Sequence, residues 1–188
     1  MTALRFQNDG GPLIALDAVL APQWTGNRSE DYRDPIPPGS DYERACNAGY
    51  PADLLKIGDG TGVVIGAQEG ISTAWWYPLP RHVLCLIGSV FGDQASNAQL
   101  NRMLGDDRSG DWRHLGAFTV QSGQVLLMHA ASEGAVVTID PATSHAAIED
   151  AVSASLPVGT YKLACREVSL EGRGLYNVVQ WRPSERAA

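Results

Sequence analysis

A chain of 188 residues with 44% hydrophobic and 19% charged content can bury one substantial core, and its length is that of one domain, 1–188. A formal net charge of −7, with no run of lysine and arginine along the sequence, repels a nucleic-acid backbone and excludes nucleic acid as the expected partner. No stretch approaches the ~20 apolar residues of a bilayer crossing, and the N-terminus carries no basic region followed by an apolar run. Three scattered cysteines, Cys46, Cys85 and Cys165, form no secreted disulfide framework, so the expected setting is the cytoplasm, away from membranes.

Leu13-Ile14-Ala15-Leu16 follows Gly10-Gly11-Pro12, an entry through which no regular element continues, and reads as the first strand. After Trp24, the polar stretch Thr25 to Gly39 holds Glu30, Asp31, Asp34 and three prolines, shows neither periodicity and reads as a long surface loop. Ser40-Asp41-Tyr42-Glu43 has the spacing of a capping box, in which the Ser40 hydroxyl accepts the Glu43 N–H while the Glu43 carboxylate reaches back. The helix it opens runs for about two turns through Cys46, with Gly49 as a left-handed stop.

Leu54 to Ile57 and Val63 to Ile65, separated by Gly58-Asp59-Gly60-Thr61-Gly62, predict a β-hairpin. Ile71 to Tyr77 and His82 to Phe91 read as strands, the second nearly continuous in apolar residues and therefore central in a sheet. Asp93 is placed to cap a second helix ending near Leu104 and Gly105. Ala117 to Val120 and Val125 to Met128 flank a tight hairpin turn at Ser122-Gly123. Ser144 to Leu156 fits a helix through Ile148 and Val152 and a strand through Val152, Ala154 and Leu156, with a strand favoured for its second half. Tyr161 to Val168 and Leu175 to Trp181 close the chain as an antiparallel meander, entered through Pro157-Val158-Gly159. The fold class is α+β, β-dominant, with mainly antiparallel sheets and about two short helices.

Few motifs point to chemistry. The Gly58 to Gly62 run resembles a phosphate loop in composition, but such a loop opens a helix and this one leads into a strand. His82, His114, His129 and His145 are scattered, and His82 and Cys85 fall on opposite faces of a strand, so neither metal nor cofactor is expected. No G-x-S-x-G elbow occurs, and Ser122 sits in a turn. Acidic residues gather at Glu30, Asp31, Asp34, Asp41 and Glu43, and again at Asp106, Asp107 and Asp111. They are solvated surface charge in the plain reading and a partner-facing rim in the functional one. Trp24, Tyr32 and Tyr42 border the first group. Trp75, Trp76 and Tyr77 cannot all face one side of a strand, so at least one of Trp75 and Trp76 sits in a second core layer or is exposed, where tryptophan is a favoured interface anchor.

Gly10-Gly11-Pro12-Leu13-Ile14, Trp24-Thr25-Gly26 and Asp41-Tyr42-Glu43-Arg44-Ala45-Cys46, in that order, resemble the immunity protein 21 family. The resemblance continues through Ile57 to Gly66 and into Leu156-Pro157-Val158-Gly159-Thr160-Tyr161. It implies a cytoplasmic antidote, with no catalytic residues, that binds and neutralises the C-terminal domain of a polymorphic toxin. The acidic charge suits a partner with a basic surface, and the expected partner-binding residues are Trp24, Asp31, Asp34, Asp41, Glu43, Trp75 and Trp76, on a monomer or weak homodimer. The alternatives are a small α+β enzyme or ligand-binding protein, with Asp41, Glu43 or His129 as candidates, and a subunit of a larger assembly.

Overall fold

The computed structural model describes residues 4–7, 10–27, 35–66, 70–71, 73–79, 83–91, 112–137, 139–140, 145–146, 151–170 and 174–184. In chain order its strands are β1 (Leu4–Gln7), β2 (Leu13–Asp17), β3 (Ala52–Ile57), β4 (Gly60–Ile65), β5 (Thr73–Leu79), β6 (Val83–Phe91), β7 (Arg113–Val120), β8 (Gln124–His129), β9 (Ile139–Asp140), β10 (His145–Ala146), β11 (Ala151–Ser155), β12 (Gly159–Leu170) and β13 (Gly174–Pro183). Helix α1 (Asp41–Cys46) and the 3₁₀ segments Ala18–Gln23 and Gly134–Val136 complete the described elements. The class is therefore α+β with strands dominant. No helix among the described residues is long and apolar enough to cross a membrane.

Two antiparallel sheets hold nearly all the strands, in the orders β11-β8-β2-β4-β3 and β1-β5-β6-β13-β12-β7, while β9 and β10 form a small ribbon. Between the sheets lies the larger core, with Leu13, Val63 and Leu127 from the first meeting Trp76, Phe118 and Trp181 from the second. Trp181 is its centre: Trp76 and Phe118 stand edge-on to it with ring centroids 5.2 and 6.1 Å away, an arrangement the aromatic quadrupole favours.

The five-stranded sheet also buries its other face. Ile14, Leu16, Val64, Leu126 and Met128 lie beneath Leu20, Ala21 and Trp24 from the first 3₁₀ segment and its C-cap, and beneath Ala45 and Ala48 around α1. Each large side chain in that layer gains about 1.5–3 kcal/mol from leaving water, which the sheet loses unless the helical segments cover it. Burial on both faces is why Leu13 to Leu16 and Val125 to Met128 read as unbroken apolar runs. The β3–β4 hairpin forms as expected, with Ile57 opposite Gly60. β6 lies inside the six-stranded sheet between β5 and β13. The ambiguous segment ends as strand β11, which pairs with β8.

Four expectations are corrected. The first strand is β1, which pairs Leu4 through Gln7 with Trp76 through Thr73; four alternating residues at a chain start are too short a pattern to separate from coil. Ser122-Gly123 does not close a hairpin, because β7 and β8 belong to different sheets. The Pro157-Val158-Gly159 turn likewise crosses from β11 in one sheet to β12 in the other, so the terminal strands are a β12–β13 hairpin flanked by β7 and β6 rather than a meander begun by β11. Finally, α1 stops at Asn47, with φ −92° and ψ 2°. Gly49 has no positive φ and serves space instead, since a Cβ there would lie 2.9 Å from the Asp53 carboxylate oxygen that accepts its N–H. The helix expected from Asp93 to Leu104 lies outside the described residues.

Asp17 fastens the crossing between sheets. Its carboxylate is fully buried, with Oδ1 accepting the Val19 N–H at 3.0 Å to cap the 3₁₀ segment, and Oδ2 accepting the N–H groups of Gln121 and Ser122. A turn that leaves one sheet for another has no ladder partner for its amides, and the aspartate supplies one.

Candidate partner-binding surfaces

The capping box forms at α1, where Ser40 Oγ accepts the Glu43 N–H at 3.1 Å. The Glu43 carboxylate reaches back to the Gly39 N–H at 2.5 Å, one residue earlier than the motif places it. Asp41 turns the other way: Oδ2 accepts both the N–H and the hydroxyl of Thr25 at 2.8 Å, and Oδ1 pairs with the Arg44 guanidinium at 2.7 Å. The Tyr42 N–H donates to the Gly26 carbonyl, 3.2 Å away. Gly26, at φ +58°, lies against the backbone of Ala131 and Ser132 so closely that a Cβ would collide with both carbonyls. The loop from Trp24 and the start of α1 are thus one hydrogen-bonded unit.

Gly10 and Gly11 join the same unit. His129 Nδ1 accepts the Ala131 N–H at 3.1 Å, so the ring proton resides on Nε2, which donates to the Gly10 carbonyl at 2.8 Å. A Cβ on Gly11, whose φ is +84°, would lie 3.0 Å from His129 Nε2 and 3.3 Å from the Tyr42 hydroxyl. Burial pushes the Tyr42 hydroxyl and the Cys46 thiol above their ordinary values, as it does the thiol of Cys165. Thiols held in the protonated form are poor nucleophiles. With both nitrogens of His129 engaged by backbone, the three candidates for acid–base work, Asp41, Glu43 and His129, hold the fold together.

The expected contact residues separate accordingly. Trp24 is 0% exposed, and its Nε1 donates to the Ala130 carbonyl at 2.9 Å. Trp76 is 1% exposed in the core between the sheets. Neither indole reaches the surface, and the expectation that these two anchor a partner is corrected: each fills a core layer that needs a large apolar ring. Asp41 and Glu43 are partly exposed but already bonded within the chain. Trp75 is a β5 residue opposite Arg5 and Ile87. Asp31 and Asp34 lie outside the described residues. Among the described residues, no group of His, Cys, Asp and Glu is arranged to hold a metal ion.

A concavity that the sequence reading missed lies on the opposite side, on the outer face of the six-stranded sheet. Leu163, Cys165, Val179 and Trp181 point between the sheets, so Lys162, Ala164, Gln180 and Arg182 alternate outward. With Trp112 and His114 they line a cavity of about 550 Å³. Arg166 lies over the Trp112 ring, 4.5 Å from its centroid, and fixes that wall. Arg182 Nε donates to Gln180 Oε1 at 2.8 Å. The signal was available in the hairpin: pairing outward from Leu170 opposite Gly174 sets Lys162 directly opposite Arg182, although the two are far apart in sequence.

A family model, Immunity protein 21, matches residues 6–173. The chain belongs to the immunity protein 21 family. No curated protein and no solved structure gives a significant match. In this immunity protein 21 member the segments that carry the family resemblance, Gly10 to Ile14, Trp24 to Gly26 and Asp41 to Cys46, meet one another through His129, Thr25 and Tyr42. The matched span includes Trp112, His114 and Lys162 of the cavity; Gln180 and Arg182 lie past its end.

Proposed function

We propose that this chain is an antidote that binds a cognate polymorphic toxin domain in the cytoplasm and neutralises it by direct protein–protein contact. The observation that carries the reading is the family match over residues 6–173. The net charge of −7 supports it in a second way, because an acidic protein associates quickly, in a salt-sensitive manner, with a toxin whose catalytic cleft is basic. Of the expected contacts, Asp31, Asp34, Glu43 and Trp75 belong to this proposal as an acidic rim with one aromatic anchor.

The test is co-expression with the C-terminal domain of the secreted protein encoded beside this gene, scoring survival and then co-purification. Survival with a stable complex is the expected result; continued killing with no complex removes the reading. Alanine substitution of Asp31, Asp34 and Glu43 then judges the rim, which requires weaker toxin binding in the triple variant.

A further inference from the structure

We infer that Arg44 and Arg113 close the free edge of the five-stranded sheet, so that β3 does not take up a strand from a second copy of this chain. Among the described residues β3 is the last strand of that sheet and pairs only with β4. An edge of this kind presents unpaired N–H and C=O groups and is a template for another strand. In an antiparallel ladder alternate residues turn their backbone groups to the same side. The side-chain bonds that reach the β3 backbone fall on one such set, Ala52, Leu54 and Lys56.

The Ala52 carbonyl accepts from Arg113 Nη2, which also donates to the Tyr50 carbonyl at 3.2 Å. The Lys56 carbonyl accepts from Arg44 Nη2 at 2.5 Å, and the Leu54 N–H donates to Asp53 Oδ1 at 2.8 Å. The two arginines reach this edge from different elements, Arg44 from α1 and Arg113 from the first position of β7 in the other sheet. Asp41 holds Arg44 in place through Nη1, which leaves Nη2 aimed at β3. Two-fold symmetry names the strand that is kept out. When two copies of β3 run antiparallel about Leu54, Ala52 stands opposite Lys56, Asp53 opposite Leu55, and Leu54 opposite itself. No like charges meet in that register, so the side chains of β3 do not forbid it. The arginines do: each Ala52–Lys56 pair needs both carbonyls as acceptors, and Arg113 occupies one while Arg44 occupies the other.

The test is sedimentation velocity of the full chain over a concentration series, comparing Arg44→Ala/Arg113→Ala with the wild type. The double variant should self-associate about tenfold or more tightly than the wild type. Charge alone predicts the opposite, because the variant removes two cations from a chain already at −7 and so raises the repulsion between copies. Adding Lys56→Pro to the double variant deletes the N–H that the other copy's Ala52 carbonyl needs. The β3–β4 ladder, bonded through the alternate residues, keeps its donors, and sedimentation should return to that of the wild type. Equal sedimentation of the folded double variant and the wild type overturns the inference. So does association that persists undiminished after Lys56→Pro, which marks contact elsewhere on the surface. Circular dichroism checks the fold of each variant. If the double variant is unfolded, Arg44→Ala alone decides, since it frees the Lys56 carbonyl and leaves Arg113 in place: tighter self-association than the wild type supports the inference, and unchanged sedimentation at the highest concentration overturns it.

Discussion

The two outer faces of the stacked sheets treat charge in opposite ways. Around α1, Asp41 binds Thr25 and Arg44, and Glu43 binds the Gly39 amide. On the six-stranded sheet, Lys162 and Arg182 stand opposite each other and gather with His114 around a cavity. The difference follows from backbone arithmetic. Helix starts and turns leave N–H groups without ladder partners, and an acidic side chain close in sequence is the nearest acceptor. Residues in the middle of a strand have their backbone groups satisfied by the neighbouring strands, so their side chains are not recruited to the local backbone. An exposed-looking charge in a loop is therefore weaker evidence of an interface than a charge in the middle of a strand.

The comparison breaks if the acids of the first face prove dispensable for stability. The largest effect is expected at Asp17, the buried extreme of the same behaviour: Asp17→Ala leaves the Val19, Gln121 and Ser122 amides without their acceptor. It should cost about 3 kcal/mol or more in urea unfolding. Asp41→Ala comes next. It removes the two bonds to Thr25, leaving the Tyr42 N–H to Gly26 carbonyl bond between the Trp24 loop and α1, and should cost about 1–2 kcal/mol. A purified toxin complex provides the sharper reading. If Asp41→Ala weakens the complex while the free protein melts as before, the acid faces the partner after all, and the contrast between the two faces collapses.

Much of this was legible in the sequence, for identifiable reasons. Apolar runs gave β2, β4, β6 and β8 because burial on both faces, or a central place in a sheet, leaves a strong local pattern. Ser40 and Glu43 gave α1 because a capping box is contained in four residues. The connections that change sheets, after β7 and after β11, were read as local hairpin geometry, since a turn's residues do not reveal which sheet its second strand joins. The same limit hid the role of Asp17, whose partners at Gln121 and Ser122 are more than a hundred positions away. Trp24 and Trp76 were counted as surface candidates because tryptophan is common both in cores and at interfaces, and only burial separates the two uses. The groove was missed because cations were sought as a run along the chain, whereas strand register assembles them.

The smallest expected effect concerns the α1 side in alkaline solution. Burial holds the Cys46 thiol above its ordinary value of 9.0, against a weaker opposite pull from the Tyr42 hydroxyl bonded to it. The folded chain therefore keeps this proton to higher pH than the unfolded chain does. The stability that the neutral thiol contributes is fully present below about pH 9 and is lost as pH rises through the higher folded value. Cys165, also raised by burial, acts in the same direction from inside the core between the sheets. Urea midpoints measured from neutral to strongly alkaline pH should fall in the wild-type chain and fall less steeply in Cys46→Ala, with Cys165→Ala as the parallel comparison on the other core. Alkylation gives a second reading, since a protonated, half-buried Cys46 should react with iodoacetamide more slowly than a free thiol at about pH 8. If Cys46 alkylates at the rate of a free thiol, the layer beneath α1 opens readily in the native protein, and the contrast between bonded loop acids and strand-borne cations no longer holds.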